Sequence, residues 1–187
     1  MVFEREDDAR RVMTVLPKRF GRYGLTLHPE KTRLVAFRRP DKGQRPRSSG
    51  DANGSGSFDL LGFTHHWAQS RRGNWVVKLR TSKSRLSRAL VRVRAWCREH
   101  RHHEVKWQWS MLVAKLRGHY GYFGVTGNMR ALQRFRHEAV RIWCKWLSRR
   151  SNRMRHGWET RWPRLLERYP LPEPQIMRAF TIDLVVT

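Results

Sequence analysis

The chain has 187 residues and carries 40 Lys and Arg against 15 Asp and Glu, which gives a formal net charge of +25. Hydrophobic residues make up 39% of it and include 9 Trp and 8 Phe, so a packed core is expected and a disordered basic tail is excluded. The sequence has no apolar run long enough to cross a membrane, and its acidic N-terminal residues are unlike a signal peptide, so a cytoplasmic location is expected. A charge of this size predicts a polyanionic partner.

The first part of the chain predicts a helix followed by short strands. An acidic pair precedes apolar residues at helical spacing, which are Val12, Val15, Leu16 and Phe20. Pro17 should kink or restart this helix, and Gly21 and Gly24 should end it. Residues 24–27 and 32–37 favour two strands joined by a turn. The stretch 38–57 has almost no apolar residue and predicts a solvated loop.

A β-hairpin is predicted after this loop. Alternating apolar residues in 58–63 predict a strand, and 71–74 are typical of a hairpin turn that leads into a second strand at 75–79. His65 and His66 would then lie at the surface near the end of a strand.

Three amphipathic helices are predicted in the remainder of the chain. Thr81 or Ser82 can cap a first helix that reaches Cys97. Apolar residues spaced by three and four predict a second helix over 105–123 and a third that begins near Asn128. Because their outer positions are almost all basic, the helices should form a small bundle that can lie along nucleic acid.

Two segments of the first part resemble palm motifs of reverse transcriptases. Gly24-Leu-Thr-Leu-His-Pro-Glu-Lys-Thr32 is similar to a Gly-Leu-x-Leu-x-x-x-Lys-Thr box, and Phe58-Asp-Leu-Leu-Gly-Phe63 is similar to the Phe-x-x-Leu-Gly-Phe box of the primer grip. Their order, with a basic loop between them, resembles the group II intron reverse transcriptase/maturases. The resemblance implies that Lys31 lies near the incoming nucleotide and that Leu61, Gly62 and Phe63 form the primer grip. Without it, Lys31 would be a solvated turn lysine and the box an ordinary hairpin.

The helical part resembles the maturase-specific domain, also called X or thumb, of the same family. The similar segments are Lys115-Leu-Arg-Gly-His-Tyr-Gly-Tyr-Phe-Gly124, then Asn128, and then Trp143 to Arg150 with its Trp-Leu-Ser-Arg-Arg ending. The resemblance implies RNA binding by Lys115, Arg117, His119, Tyr120, Tyr122, Arg130, Arg134, Arg149, Arg150 and Arg153. The alternatives are core packing for the aromatic residues and a solvated surface for the arginines.

The catalytic motif of the family is absent. Reverse transcriptases hold two metal ions with carboxylates that include an Ala-Asp-Asp hairpin, and this sequence has no Ala-Asp-Asp. Its only Asp-Asp pair, Asp7-Asp8, resembles the helix just downstream of that hairpin. We therefore expect no catalytic residue, no cofactor and no polymerase activity by the chain alone, with magnesium required only by the complete family enzyme.

One segment has the residue types of a metal site. The run Cys97-Arg-Glu-His-Arg-His-His103 lacks the paired spacing that a tetrahedral zinc site needs, and Cys144 belongs to another helix. A charged helix end is the favoured interpretation, and no metal is expected.

Together these observations predict an α+β chain. Residues 1–80 would be a small antiparallel palm remnant, made of a helix plus β-hairpins, with its basic loop at 38–57. A basic α-helical thumb/maturase bundle would follow at 81–178, and 179–187 would be a tail.

The expected function is that of an RNA-binding maturase/thumb fragment that assists intron folding and splicing. Structured RNA, in the first place group II intron RNA, and an RNA/DNA duplex are the expected partners, with no membrane contact. Two alternatives remain. The first is the C-terminal part of a split RNA-directed DNA polymerase, which needs a separate palm-containing chain. The second is an unrelated basic nucleoprotein.

Overall fold

A computed structural model describes residues 3–29, 32–40, 56–70, 72–150 and 158–179. Within these ranges it contains five helices and one three-stranded antiparallel sheet, which confirms the mixed α+β class. The elements in chain order are α1 (Glu6–Gly21), β1 (Ser57–Leu60), β2 (Phe63–Gln69), β3 (Trp75–Thr81), α2 (Lys83–Glu99), α3 (Val105–Phe123), α4 (Met129–Ser148) and α5 (Trp158–Arg168).

The sheet has the strand order β1-β2-β3. The sequence predicted one strand over 58–63, but Leu60 pairs with Phe63, so Leu61 and Gly62 form a two-residue turn between two strands. Both have positive φ, 51° and 85°, as a type I′ hairpin turn requires. Leu61 is therefore a non-glycine residue in the left-handed region, where its Cβ is unfavourable. The second strand predicted from the sequence is confirmed as β3.

The bundle core is built around α4. Its apolar residues at spacings of three and four are buried, and they include Leu132, Phe135, Ala139 and Trp143. Residues of α2 and α3 complete the same core, among them Val93, Cys97, Leu112 and Leu116. The three helices predicted from the sequence are thus confirmed, because their apolar periodicity matches their buried faces.

A final segment, which the sequence analysis did not anticipate, packs across the bundle. Leu165 and Leu166 of α5 contact the core cluster. After α5 the chain supplies backbone acceptors to the helices: the Trp109 indole N–H donates to the Pro170 carbonyl at 2.9 Å, and the Tyr120 hydroxyl donates to the Pro172 carbonyl at 3.2 Å. These bonds hold the segment 170–179 against α3.

Asn128 joins the sheet to the bundle. Its side chain is buried, and its Oδ1 accepts the Thr81 backbone N–H at 2.7 Å. Its Nδ2 donates to the Thr81 hydroxyl and to the Phe123 carbonyl, both at 2.8 Å. Asn128 precedes α4 as predicted, but its side chain makes no cap hydrogen bond to that helix. It fixes the end of β3 to the end of α3 instead.

The first part of the chain departs from the sequence predictions. Helix α1 runs without interruption through Pro17, so the predicted restart is wrong. Residues 25–28 and 32–37 are irregular, so the predicted strands at 24–27 and 32–37 are wrong as well. A strand needs a neighbour for its backbone groups, and none of the described strands pairs with these segments. Lys31 and residues 41–55 of the predicted loop lie outside the described residues.

Candidate nucleic-acid interface

The solvent-facing side of α2 is densely basic. Its six basic side chains are all exposed, and they are Lys83, Arg85, Arg88, Arg92, Arg94 and Arg98. None of them forms an ion pair with an acidic side chain of the described residues. Charges of one sign without partners repel one another, so a folded chain gains by placing them against a polyanion.

This surface continues onto α3. Arg85, Arg88 and Arg92 are spaced by three and four and lie on one side of α2, and Trp96 extends the same row. The Nζ of Lys115 on α3 lies 5.2 Å from the centroid of the Trp96 ring, so the exposed sides of the two helices adjoin. We call the exposed basic residues of α2 together with Lys106, Lys115 and Arg117 of α3 the basic face.

The outward side of α3 carries small residues between these charges. Ala114, Gly118 and Gly121 are spaced by four and three, and a Cβ built on either glycine would meet no heavy atom within 4 Å. Glycine inside a helix costs roughly 0.5–1 kcal/mol relative to alanine. Packing within the described chain therefore does not account for glycine at either position.

Ion pairing distinguishes the arginines of α4. Arg130 and Arg134 are exposed and have no acidic partner among the described residues, whereas Arg136 pairs with Glu173 at 2.6 Å and Arg141 with Glu138 at 3.3 Å. Arg130 and Arg134 therefore add uncompensated charge on the first turns of α4 to that of the basic face.

Two residues expected at the RNA surface lie inside the bundle instead. Tyr120 is 4% exposed and donates to the Pro172 carbonyl, so its ring offers no free stacking face. The His119 ring lies 3.7 Å from that of Phe135 and 4.6 Å from that of Phe123, measured between centroids. Burial lowers the pKa of the His119 imidazole to about 4, so the ring is neutral at pH 7 and contributes no charge.

The predicted arginines near the end of α4 have different environments. The Arg150 guanidinium donates to the backbone carbonyls of Arg101 and His103, and burial lowers its pKa. Arg150 thus fastens the α2–α3 loop. Arg149 is exposed, with its guanidinium carbon 4.9 Å from the Trp146 ring centroid. Arg153 lies outside the described residues.

The predicted primer-grip residues adjoin the end of α3. The Tyr122 hydroxyl donates to the Leu61 carbonyl at 2.9 Å, and the Phe63 ring stacks on Tyr122 with 5.9 Å between centroids. A Cβ on Gly62 would lie 3.3 Å from Cγ of Arg85, which packs close to the turn. Leu61 is 74% exposed and Tyr122 54%, so the hairpin turn and the end of the basic face present one continuous surface.

A cluster of rings that was not predicted from the sequence lies at the end of α2 and α3 opposite to the hairpin turn. Trp96, His100, His103 and Trp107 contact one another there, with ring centroids 4.5 to 6.1 Å apart. The Cys97 side chain points into the core, and desolvation raises the pKa of its thiol to about 12. The described residues contain no group of three His, Cys, Asp or Glu side chains placed to bind a metal ion.

Comparisons with protein-family models, with curated proteins and with solved structures find no match. No helix within the described ranges is long and apolar enough to span a bilayer.

Proposed function

We propose that the chain binds structured RNA through its basic face, as a maturase/thumb fragment of a group II intron reverse transcriptase that assists intron folding and splicing. The observation that carries the proposal is the set of exposed cations on α2 and α3 without acidic partners among the described residues. Cations on rigid helices can engage several phosphates of a folded RNA at once, and each engagement releases counterions. An RNA/DNA duplex offers similar phosphate geometry and is a second expected ligand.

The motif resemblance supports the choice of RNA and of the intron class. The Tyr122–Leu61 hydrogen bond joins the primer-grip box to the maturase-like box across 61 residues of the chain. In a thumb and palm junction, such a contact would set the angle between the hairpin and the helix that follows a duplex. Besides the exposed cations of α2, we take Lys115, Arg117, Tyr122, Arg130, Arg134 and Arg149 as RNA contacts, and we assign His119, Tyr120 and Arg150 supporting roles.

A filter-binding titration at several salt concentrations tests the proposal. The test variant replaces Arg88, Arg92 and Arg117 with Ala, and each lost phosphate contact should reduce the salt slope of binding by about one. The matched control replaces Arg10, Arg38 and Arg141 with Ala. It removes the same amount of positive charge, but each of these three arginines lies within 4.0 Å of a glutamate oxygen. Equal loss in both variants would mean that net charge alone governs binding. Equal affinity for heparin and a folded intron RNA would reduce the claim to general polyanion binding.

A second candidate function is that of the C-terminal part of a split RNA-directed DNA polymerase. Helix α1 favours it, because Ala9 is its one buried residue and an open groove of about 670 Å³ follows its apolar side. Val15 and Tyr23 beside this groove are 54% and 76% exposed. Such a face is suited to packing against a palm-containing chain.

Primer extension with dNTPs and magnesium separates the two candidates. The chain alone should extend no primer, because it lacks the Ala-Asp-Asp carboxylates. Extension by the pure chain would refute the noncatalytic proposal. Extension that requires an added palm-containing chain, and fails when Val15 is changed to Asp, would establish the split enzyme.

A further inference from the structure

The ring cluster at the α2–α3 loop is exposed on one side. Trp107 lies in the first turn of α3, is 37% exposed and does not belong to the bundle core. Its centroid lies 4.5 Å from that of His103, 5.4 Å from that of His100 and 6.1 Å from that of Trp96. A large indole kept partly in water, with its orientation fixed by neighbouring rings, needs an explanation beyond core packing.

The loop that carries His100 and His103 is held in place by hydrogen bonds from the helical bundle. Buried Gln108 donates through Nε2 to the carbonyls of Arg101 and His103, at 3.2 and 2.9 Å, and its Oε1 accepts the Trp143 indole N–H at 3.0 Å. The Arg150 guanidinium donates to the same two carbonyls. The rings are therefore already arranged before any ligand arrives, which reduces the entropic cost of binding.

Cations lie near the cluster. Lys115 lies over the Trp96 ring, and a groove of about 460 Å³ at the adjoining end of α2 is lined by Ala95, Arg98, Glu99, Arg101 and His102. Two acids, Glu99 and Glu104, lie in the same region and are outnumbered by the basic side chains, although a Glu99 carboxylate oxygen is 4.0 Å from Nδ1 of His100. The combination of an exposed aromatic ring and nearby cations suits a group that has a flat apolar face and an attached phosphate.

We propose that this ring cluster binds a single unpaired nucleobase, which stacks on the open part of Trp107 while its flanking phosphates contact the neighbouring cations. The inference rests on the proposed function, because the basic face would bring a nucleic acid to α3. Every base has a π face, so stacking on indole selects for an unpaired base without selecting its identity. RNA bulges and DNA bulges both supply such a base, and the experiment distinguishes them.

The test uses the full chain with three hairpins, which are a paired RNA, the same RNA with one bulged 2-aminopurine, and the DNA counterpart of the bulged RNA. The protein should prefer the bulged RNA and quench its 2-aminopurine. Trp107→Ala should abolish the quenching and weaken binding of the bulged hairpin roughly five- to 150-fold, with little change for the paired one. Trp107→Phe should retain most of the preference. Met111→Ala, one turn along α3 and 38% exposed, is the control for loss of apolar surface.

The outcomes separate this site from the proposed function. Binding of the paired and bulged hairpins with equal affinity, or equal losses for both in Trp107→Ala, would overturn the site and leave RNA binding intact. Failure of the folded protein to bind any hairpin would reject both. Equal binding of the DNA and RNA bulges would assign the site to unpaired bases of either nucleic acid, and binding of the RNA bulge alone would assign it to RNA.

Discussion

Replacing Gly118 and Gly121 with Ala should stabilise the protein and weaken its binding to RNA. Neither added Cβ meets a heavy atom within 4 Å, so the substitutions cause no clash within the described chain. Alanine lowers the conformational entropy of the unfolded chain and favours the helix, by roughly 0.5–1 kcal/mol at each site. The double variant should therefore gain about 1–2 kcal/mol in its free energy of unfolding, which raises Tm by roughly 2–8 °C for a chain of this size.

The effect on RNA should have the opposite sign. If a sugar-phosphate backbone lies against the small residues of α3, two methyl groups at Gly118 and Gly121 would push it away from Lys115 and Arg117. We expect a loss of affinity of about tenfold, similar to the cost of overpacking a fitted contact. Thermal unfolding followed by circular dichroism gives the stability, and filter binding at constant salt gives the affinity.

Gly21→Ala provides the matched control. Gly21 ends α1, its Cβ position is equally open, and it is remote in sequence from the basic face. Its replacement should leave RNA affinity unchanged. Unaltered RNA binding by the stabilised double variant would refute the placement of RNA on this side of α3. A lower Tm would show that the glycines serve the fold itself.

Three further predictions concern stability. Asn128→Ala should lower the free energy of unfolding by roughly 2–4 kcal/mol, because it leaves the buried Thr81 N–H and the other partners of Asn128 unsatisfied. Urea titration measures this, and an unchanged urea midpoint would contradict the role of Asn128 in joining the sheet to the bundle. Because the pKa of His119 is about 4 in the fold and 6.5 in the unfolded chain, the unfolded state binds more protons between these values, so stability should fall as pH drops through this window. His119→Phe should reduce that pH dependence, and an identical pH profile would count against it. Amide exchange should be fast across 1–57 and slow in 105–148, because Ala9 is the one buried residue in the described part of 1–57 and 105–148 holds much of the bundle core; equal protection of the two regions would contradict this.

The helical bundle was predictable because its signal is local. Leu112, Leu116 and Trp143 occupy positions where apolar spacing alone places a buried face, and they are fully buried. The prediction of strands at 24–27 and 32–37 was wrong because a local sequence pattern can suit a strand without providing the neighbouring strand that its backbone groups must pair with. Helix α5 was missed because it is short, contains Pro163 and has few apolar residues.

The same limit applies to the candidate site. The scarcity of acids predicts that α2 presents basic residues to solvent, and the structure places them there. The positions of Tyr120 and Arg150 depend on carbonyl groups 52 and about 50 residues away in the chain, which no local pattern encodes. The ring cluster was overlooked for a related reason, since its histidines were assessed as metal ligands and Trp107 lies off the buried spacing of α3.

The side chain of Asn128 also determines where the chain tolerates truncation. A small antiparallel sheet gains stability by packing against a helix, and the end of this one is attached to α3 through Asn128. A chain that stops before residue 128 would therefore lose the sheet as well as α4, although every residue of the sheet is still present. A fragment that begins at residue 56 keeps all of these bonds.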